Sequence, residues 1–85
     1  MTSSGDNEKV IIYTTPTCGF CNVAKKFFRE NNVSYREVNV ALDRDGLKEM
    51  REKSGQMGIP VFDIDGRIII GFDQRKLEDA LKDLE

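Results

Sequence analysis

The chain has 85 residues and a formal charge of −2, from 13 Lys plus Arg against 15 Asp plus Glu, with two cysteines and no histidine. That length supports one domain and no second core. The near balance of charge provides neither a basic stripe for nucleic acid nor a polybasic patch for a membrane surface, and no apolar run approaches the roughly 20 residues that cross a bilayer.

Residues 1–8, Met1-Thr2-Ser3-Ser4-Gly5-Asp6-Asn7-Glu8, have neither the basic region nor the apolar stretch of a signal peptide. They read as a disordered polar tail ahead of a domain over 9–85, and the expected location is cytoplasmic. Val10-Ile11-Ile12-Tyr13 is a short apolar run of β-branched character, the pattern of a buried central strand. Thr14, Thr15 and Pro16 interrupt it. From about Cys18 a helical period begins, with Phe20, Val23, Ala24, Phe27 and Phe28 on one face and Lys25, Lys26, Arg29 and Glu30 on the other. Asn31-Asn32 provides a left-handed stop. A weakly alternating strand follows over roughly Ser34 to Val40. Asp43 then caps a short helix that turns Leu47 and Met50 inward and ends at Gly55. Val61-Phe62-Asp63-Ile64 and Arg67-Ile68-Ile69-Ile70, joined by Asp65-Gly66, carry the strongest short-range hairpin signal in the chain. Asp73 caps a last helix with Leu77, Ala80, Leu81 and Leu84 at helical spacing. The expected class is α/β, a four-stranded mixed sheet in the order β-α-β-α-β-β-α with three helices on its two faces.

Chemistry concentrates at Cys18-Gly19-Phe20-Cys21. Sulfurs at i and i+3 share a helical face and lie within bonding reach. A structural disulfide is a poor reading, because so small a loop barely restrains the unfolded chain. A structural zinc needs four Cys or His ligands and the chain offers two, so no metal is expected. Cys18 opens a helix, where unpaired backbone N–H groups favour a thiolate over a thiol. Cys21, one turn deeper, is expected to be more buried and less acidic. Cys18 is therefore the candidate nucleophile and Cys21 the candidate resolving thiol.

Two further segments stand out. Proline at Ile59-Pro60 either begins a strand, where its missing N–H is tolerated, or forms a cis bond that leaves the Ile59 backbone free to pair with an extended substrate. In Gly71-Phe72-Asp73, glycine ends a strand, phenylalanine packs and aspartate caps; the open N–H groups at that helix start also suit the carboxylate of an anionic thiol.

Taken together, Thr15-Pro16-Thr17-Cys18-Gly19-Phe20-Cys21 after a strand, Gly58-Ile59-Pro60-Val61 before a hairpin, and Gly71-Phe72-Asp73 before a final helix resemble the glutaredoxin family. The likeness runs from about Val10 to Leu84. It implies a thioredoxin fold, a cis-proline at Pro60, attack by Cys18 and resolution by Cys21. It also implies no tightly bound cofactor, glutathione as co-substrate, and a glutathione site built from Thr15, Phe20, Ile59, Pro60, Gly71, Phe72 and Asp73. The implied activity is reduction of protein disulfides and glutathione mixed disulfides by a monomer, with no nucleic-acid or membrane partner. Thr15 stands where many glutathione-using members carry Lys or Arg, and Gly71-Phe72 also resembles small redoxins that are reduced by thioredoxin reductase and serve ribonucleotide reductase. Either reductant thus remains open. Cys18-Gly19-Phe20 further resembles the start of the motif in family members that bridge an iron–sulfur cluster between two subunits with glutathione.

Overall fold

A computed structural model describes residues 9–83. The tail read into residues 1–8, and the inward position expected of Leu84, lie outside those residues. In chain order the elements are β1 (Val10–Thr14), α1 (Gly19–Glu30), β2 (Arg36–Asn39), α2 (Arg44–Ser54), β3 (Val61–Ile64), β4 (Arg67–Ile70) and α3 (Gln74–Lys82). The strands form one mixed sheet in the order β2-β1-β3-β4. β1 runs parallel to β2 and antiparallel to β3, and β3 pairs antiparallel with β4. This is the expected thioredoxin-type arrangement, and β1 is a central strand as its apolar character requires.

Alternation along the strands sends side chains to two different layers. Val10, Ile12, Phe62, Ile64 and Ile69 pack with Ala24, Phe27 and Phe28 of α1 and Leu77 and Ala80 of α3. Phe28 is central here, with its ring 5.8 Å from Phe62 edge-on and 5.4 Å from Tyr35. Burying a side chain of this size stabilises the fold by about 1.5–3 kcal/mol. On the opposite face Tyr13, Val38, Val40 and Val61 meet Met50 of α2, with Leu47 partly buried beside them. Gly46 permits this close approach, since a Cβ there would collide with Val38 Cγ1.

Local signals set the boundaries. The α1 helix ends in a Schellman arrangement: Asn32 has φ 58°, its N–H donates to the Arg29 carbonyl, and Val33 N–H donates to that of Phe28. The α2 helix begins at Asp43, whose Oδ1 accepts from Gly46 N at 2.8 Å, and ends at Gly55 with φ 73°. Asp65 and Gly66 both have positive φ, 51° and 93°, as a two-residue type I′ hairpin demands.

Two expectations about α1 need correction. Phe20 and Val23 do not join the buried face; they are 67 % and 48 % exposed, while Cys21 takes a core position at 1 %. The buried stripe is Cys21, Ala24, Phe27 and Phe28, and the two apolar residues lie beyond its edge. Lys25, placed by periodicity on the solvent face, is half-buried and turned toward β2. The second strand is also shorter than expected, because only Arg36–Asn39 pair with β1.

Candidate active site

Sheet register gathers the three singled-out segments at one end of the molecule. Tyr13 pairs with Val61 and Val61 with Ile70. The residues that continue past those pairs are Thr14, Pro60 and Gly71, so they emerge side by side. Gly71 N–H donates to the Pro60 carbonyl at 2.8 Å, which ties the second segment to the third. Just beyond Thr14 the chain turns, with Cys18 N–H donating to the Thr15 carbonyl at 3.2 Å, and enters α1.

Cys18 is the N-cap of α1, with extended backbone angles of φ −86° and ψ 110°. Its Sγ accepts the N–H of Cys21 at 3.1 Å, the place that an oxygen fills in an ordinary cap. Cys18 and Cys21 are joined as a disulfide across a Cα–Cα distance of 5.2 Å, well within the span that such a bond requires. Cys18 is partly exposed and Cys21 is buried, so a molecule approaching from solvent meets the Cys18 sulfur first. Opening the bond would leave Cys18 Sγ aimed at the first-turn donors of a helix, the arrangement that stabilises a thiolate.

The surrounding residues divide by what they touch. The Ile59–Pro60 bond is cis and Pro60 is buried. Among the described residues, neither the N–H nor the C=O of Ile59 has a hydrogen-bond partner, whereas Gly58 on its other side is held by both ends of the Gln56 amide. Thr15 Oγ1 lies 3.5 Å from Thr17 Oγ1 in the exposed turn before Cys18. Gly71 has φ 80°, a conformation suited to glycine. Phe72 packs edge-on against Phe27 with centroids 6.2 Å apart, and Asp73 Oδ1 accepts from Lys76 N at 3.2 Å. Packing and capping therefore occupy Phe72 and the Asp73 carboxylate. Phe20 and Met57 are exposed apolar side chains, one on the first turn of α1 and one in the approach to Ile59.

Two polar networks join side chains that are distant in sequence. In the first, buried Thr14 donates from Oγ1 to Glu37 Oε2 at 2.8 Å, and Lys25 Nζ donates to the same oxygen at 3.1 Å. Burial pushes the Glu37 carboxyl up, but those two hydrogen bonds outweigh it and hold its pKa below the ordinary glutamate value. In the second, on the α2 face, Tyr13 OH donates to Glu49 Oε1 at 2.6 Å, while Lys53 Nζ reaches Asp63 Oδ2 at 2.6 Å and the Tyr13 oxygen at 2.9 Å. Burial, then the bond to Glu49, raises the Tyr13 pKa. The bond from Tyr13 lowers that of Glu49. Burial opposes the Lys53 charge, yet bonds to Asp63, Tyr13 and Glu49 prevail and hold its pKa above that of free lysine. The one available sequence signal was Asp63, a carboxylate inside an otherwise apolar strand. That strand position obliges some cation to come within reach.

Comparison with known proteins agrees with this geometry. The glutaredoxin family model matches residues 10–69. An uncharacterized glutaredoxin-like 8.6 kDa protein from the rubredoxin operon of Clostridium pasteurianum is 41 % identical over 71 residues, covering 84 % of this chain and 95 % of that one. Glutaredoxin 3 of Escherichia coli is 34 % identical over 71 residues, with coverage of 84 % and 86 %. The crystal structure of a glutaredoxin from Archaeoglobus fulgidus superposes with a TM-score of 0.82 over 96 % of each chain at 17 % identity, a likeness of fold. Among the described residues, no helix is long and apolar enough to cross a membrane.

Proposed function

The chain belongs to the glutaredoxin family, and on that premise we propose that it is a dithiol disulfide reductase in which Cys18 attacks and Cys21 resolves. The observation that carries this reading is the Cys21 N–H directed at Cys18 Sγ, with Cys18 open to solvent and Cys21 buried behind it. The reduced enzyme begins with Cys18 as thiolate. That sulfur attacks one sulfur of a substrate disulfide, a Cys18–substrate bond forms, and the other substrate sulfur leaves as a thiolate that takes a proton from water. Cys21 then loses its proton to water and attacks Cys18 Sγ. The second substrate sulfur leaves as a thiolate that takes up a proton, two electrons have passed to substrate, and the Cys18–Cys21 disulfide remains.

Protein disulfides and glutathione mixed disulfides are the proposed substrates. The unpaired N–H and C=O of Ile59 suit an extended peptide or the peptide bonds of glutathione. Glutathione is the proposed co-substrate, bound along Thr15, Phe20, Ile59, Pro60, Gly71, Phe72 and Asp73, and the proposed working form is a cytoplasmic monomer. With glutathione as reductant, two molecules return the pair to dithiol and leave as oxidised glutathione; thioredoxin reductase would supply the same two electrons directly. The cluster-bridging alternative needs the Cys18 thiolate free, and here Cys21 competes for it by forming the disulfide.

An NADPH-coupled assay tests the proposal, run in parallel with glutathione plus glutathione reductase and with thioredoxin reductase. Turnover of a disulfide substrate in at least one arm, lost on Cys18→Ser, is the expected result. No turnover in either arm contradicts it.

A further inference from the structure

Beyond the dithiol, the structure holds an ion pair placed to act on it. Glu37 Oε2 takes hydrogen bonds from Thr14 Oγ1 at 2.8 Å and from Lys25 Nζ at 3.1 Å. Thr14 is the last residue of β1, so one carboxylate on β2 grips the strand where the loop to Cys18 begins. Lys25 lies four residues beyond Cys21 on the same helix, which puts the two side chains on neighbouring turns of one face, with Cβ atoms about 5–6 Å apart. Helical side chains lean toward the N-terminus, which carries the Lys25 stem toward the cysteine end of α1. Lys25 and Glu37 thus pair at 3.1 Å, the cation on the cysteine helix itself and the anion on β2, beside the strand that leads to Cys18. The remaining α1 cations, Lys26 and Arg29, are exposed on the outer side.

We propose that Lys25 and Glu37 are positioning residues that set the field at the dithiol, Lys25 favouring its reduced form and Glu37 opposing that effect. This rests on the redox reading of Cys18 and Cys21. The reasoning is one of charge difference. The disulfide is neutral, whereas reduction by a dithiol such as dithiothreitol yields a Cys18 thiolate, a Cys21 thiol, one released proton and the cyclic disulfide of the reductant. A nearby cation stabilises only the reduced side of that balance, and an anion opposes it. Glu37 remains ionised well into the acid range, because its bonds to Thr14 and Lys25 outweigh its burial. A charge on the order of 10 Å away, in surroundings between protein and water, shifts such an equilibrium by a factor of about three.

The test compares the full chain with its Lys25→Met, Glu37→Gln, Lys25→Arg and Lys25→Met/Glu37→Gln variants. Each is equilibrated in a dithiothreitol redox buffer at neutral pH and its dithiol fraction read by alkylation and mass spectrometry. The pH profile of Cys18 alkylation is recorded alongside. Lys25→Met is expected to move the equilibrium about threefold toward disulfide and raise the Cys18 pKa. Glu37→Gln, whose amide oxygen still accepts from Thr14, is expected to move both the opposite way by a similar factor. Lys25→Arg and the double variant should return near the parent values. A merely structural clamp would instead loosen the loop in every variant. Single variants that shift in the same direction, that do not shift, or an arginine variant that behaves like methionine would overturn the inference. A parent chain with no turnover in the coupled assay defeats the redox reading itself, whereas normal parent turnover with one of those failures defeats this inference alone.

Discussion

The start of α1 and the starts of α2 and α3 solve one problem with different atoms. At α2 and α3 a carboxylate oxygen, of Asp43 and of Asp73, accepts a first-turn N–H. At α1 the acceptor in the same geometry is Cys18 Sγ. A carboxylate is already an anion at neutral pH, so capping stabilises the helix without changing the charge of the cap. A sulfur in that position is a weak acceptor as a thiol or disulfide and a good one as thiolate, so the same backbone donors favour ionisation. The difference shows how one local motif stabilises a helix in two places and, in a third, places a sulfur where a thiolate is favoured.

Exchanging the capping atom is the sharpest way to break the comparison. Cys18→Ser keeps an oxygen that caps well and is predicted to lose all measurable turnover with no loss of thermal stability. A variant that kept its activity would mean the nucleophile lies elsewhere. Cys21→Ser leaves the cap intact and removes only the proposed resolving thiol. It is predicted to abolish protein-disulfide reduction while sparing cleavage of glutathione mixed disulfides, since a second glutathione can resolve them. Equal loss of both activities would show that glutathione is not the partner. Asp43→Ala should have the reverse profile, costing about 1 kcal/mol of stability, a fall in melting temperature of roughly 4–8 °C, with turnover unchanged. Asp73→Ala should cost a similar amount and, as part of the proposed glutathione site, raise the KM for glutathione; an unchanged KM would confine Asp73 to capping.

The smallest effect concerns the charged groups that cap nothing. Glu37 and Glu49 have folded pKa values below the ordinary 4.5, so they contribute stability above that value and lose it as pH falls through their lowered values. Lys53 is raised above 10.5, so its contribution is complete below that value and is lost only as pH rises beyond it. The chain has no histidine. With the disulfide intact, the urea midpoint should therefore stay flat between about pH 6 and 9 and fall on both sides. A slope inside that window would require a further group whose pKa differs between the folded and unfolded chain.

Much of this was legible in the letters. Asp65-Gly66 between β-rich runs, aspartates before helical periods and a cysteine before another are local signals, and local backbone physics decides them. The hidden parts depend on what packs across from what. Periodicity locates the apolar face of α1 but not its width, so Phe20 and Val23 fit the helical pattern yet lie outside the buried stripe. Lys25 falls on the polar side of the helical period, and its role stays hidden there because it depends on Glu37, which only the parallel pairing of β1 with β2 brings near. Tyr13 read as plain core, and its hydroxyl finds Glu49 and Lys53 only once α2 folds over the sheet. The three site segments were each visible, but their common location followed from a strand order that no single segment encodes.

The pH dependence of alkylation, followed separately at Cys18 and Cys21 in the reduced chain, tests the central claim most directly. Cys18 should react faster and titrate clearly below the value of about 8.5 typical of a free thiol. Identical titration of both sulfurs at that value, or faster reaction at Cys21, would contradict it.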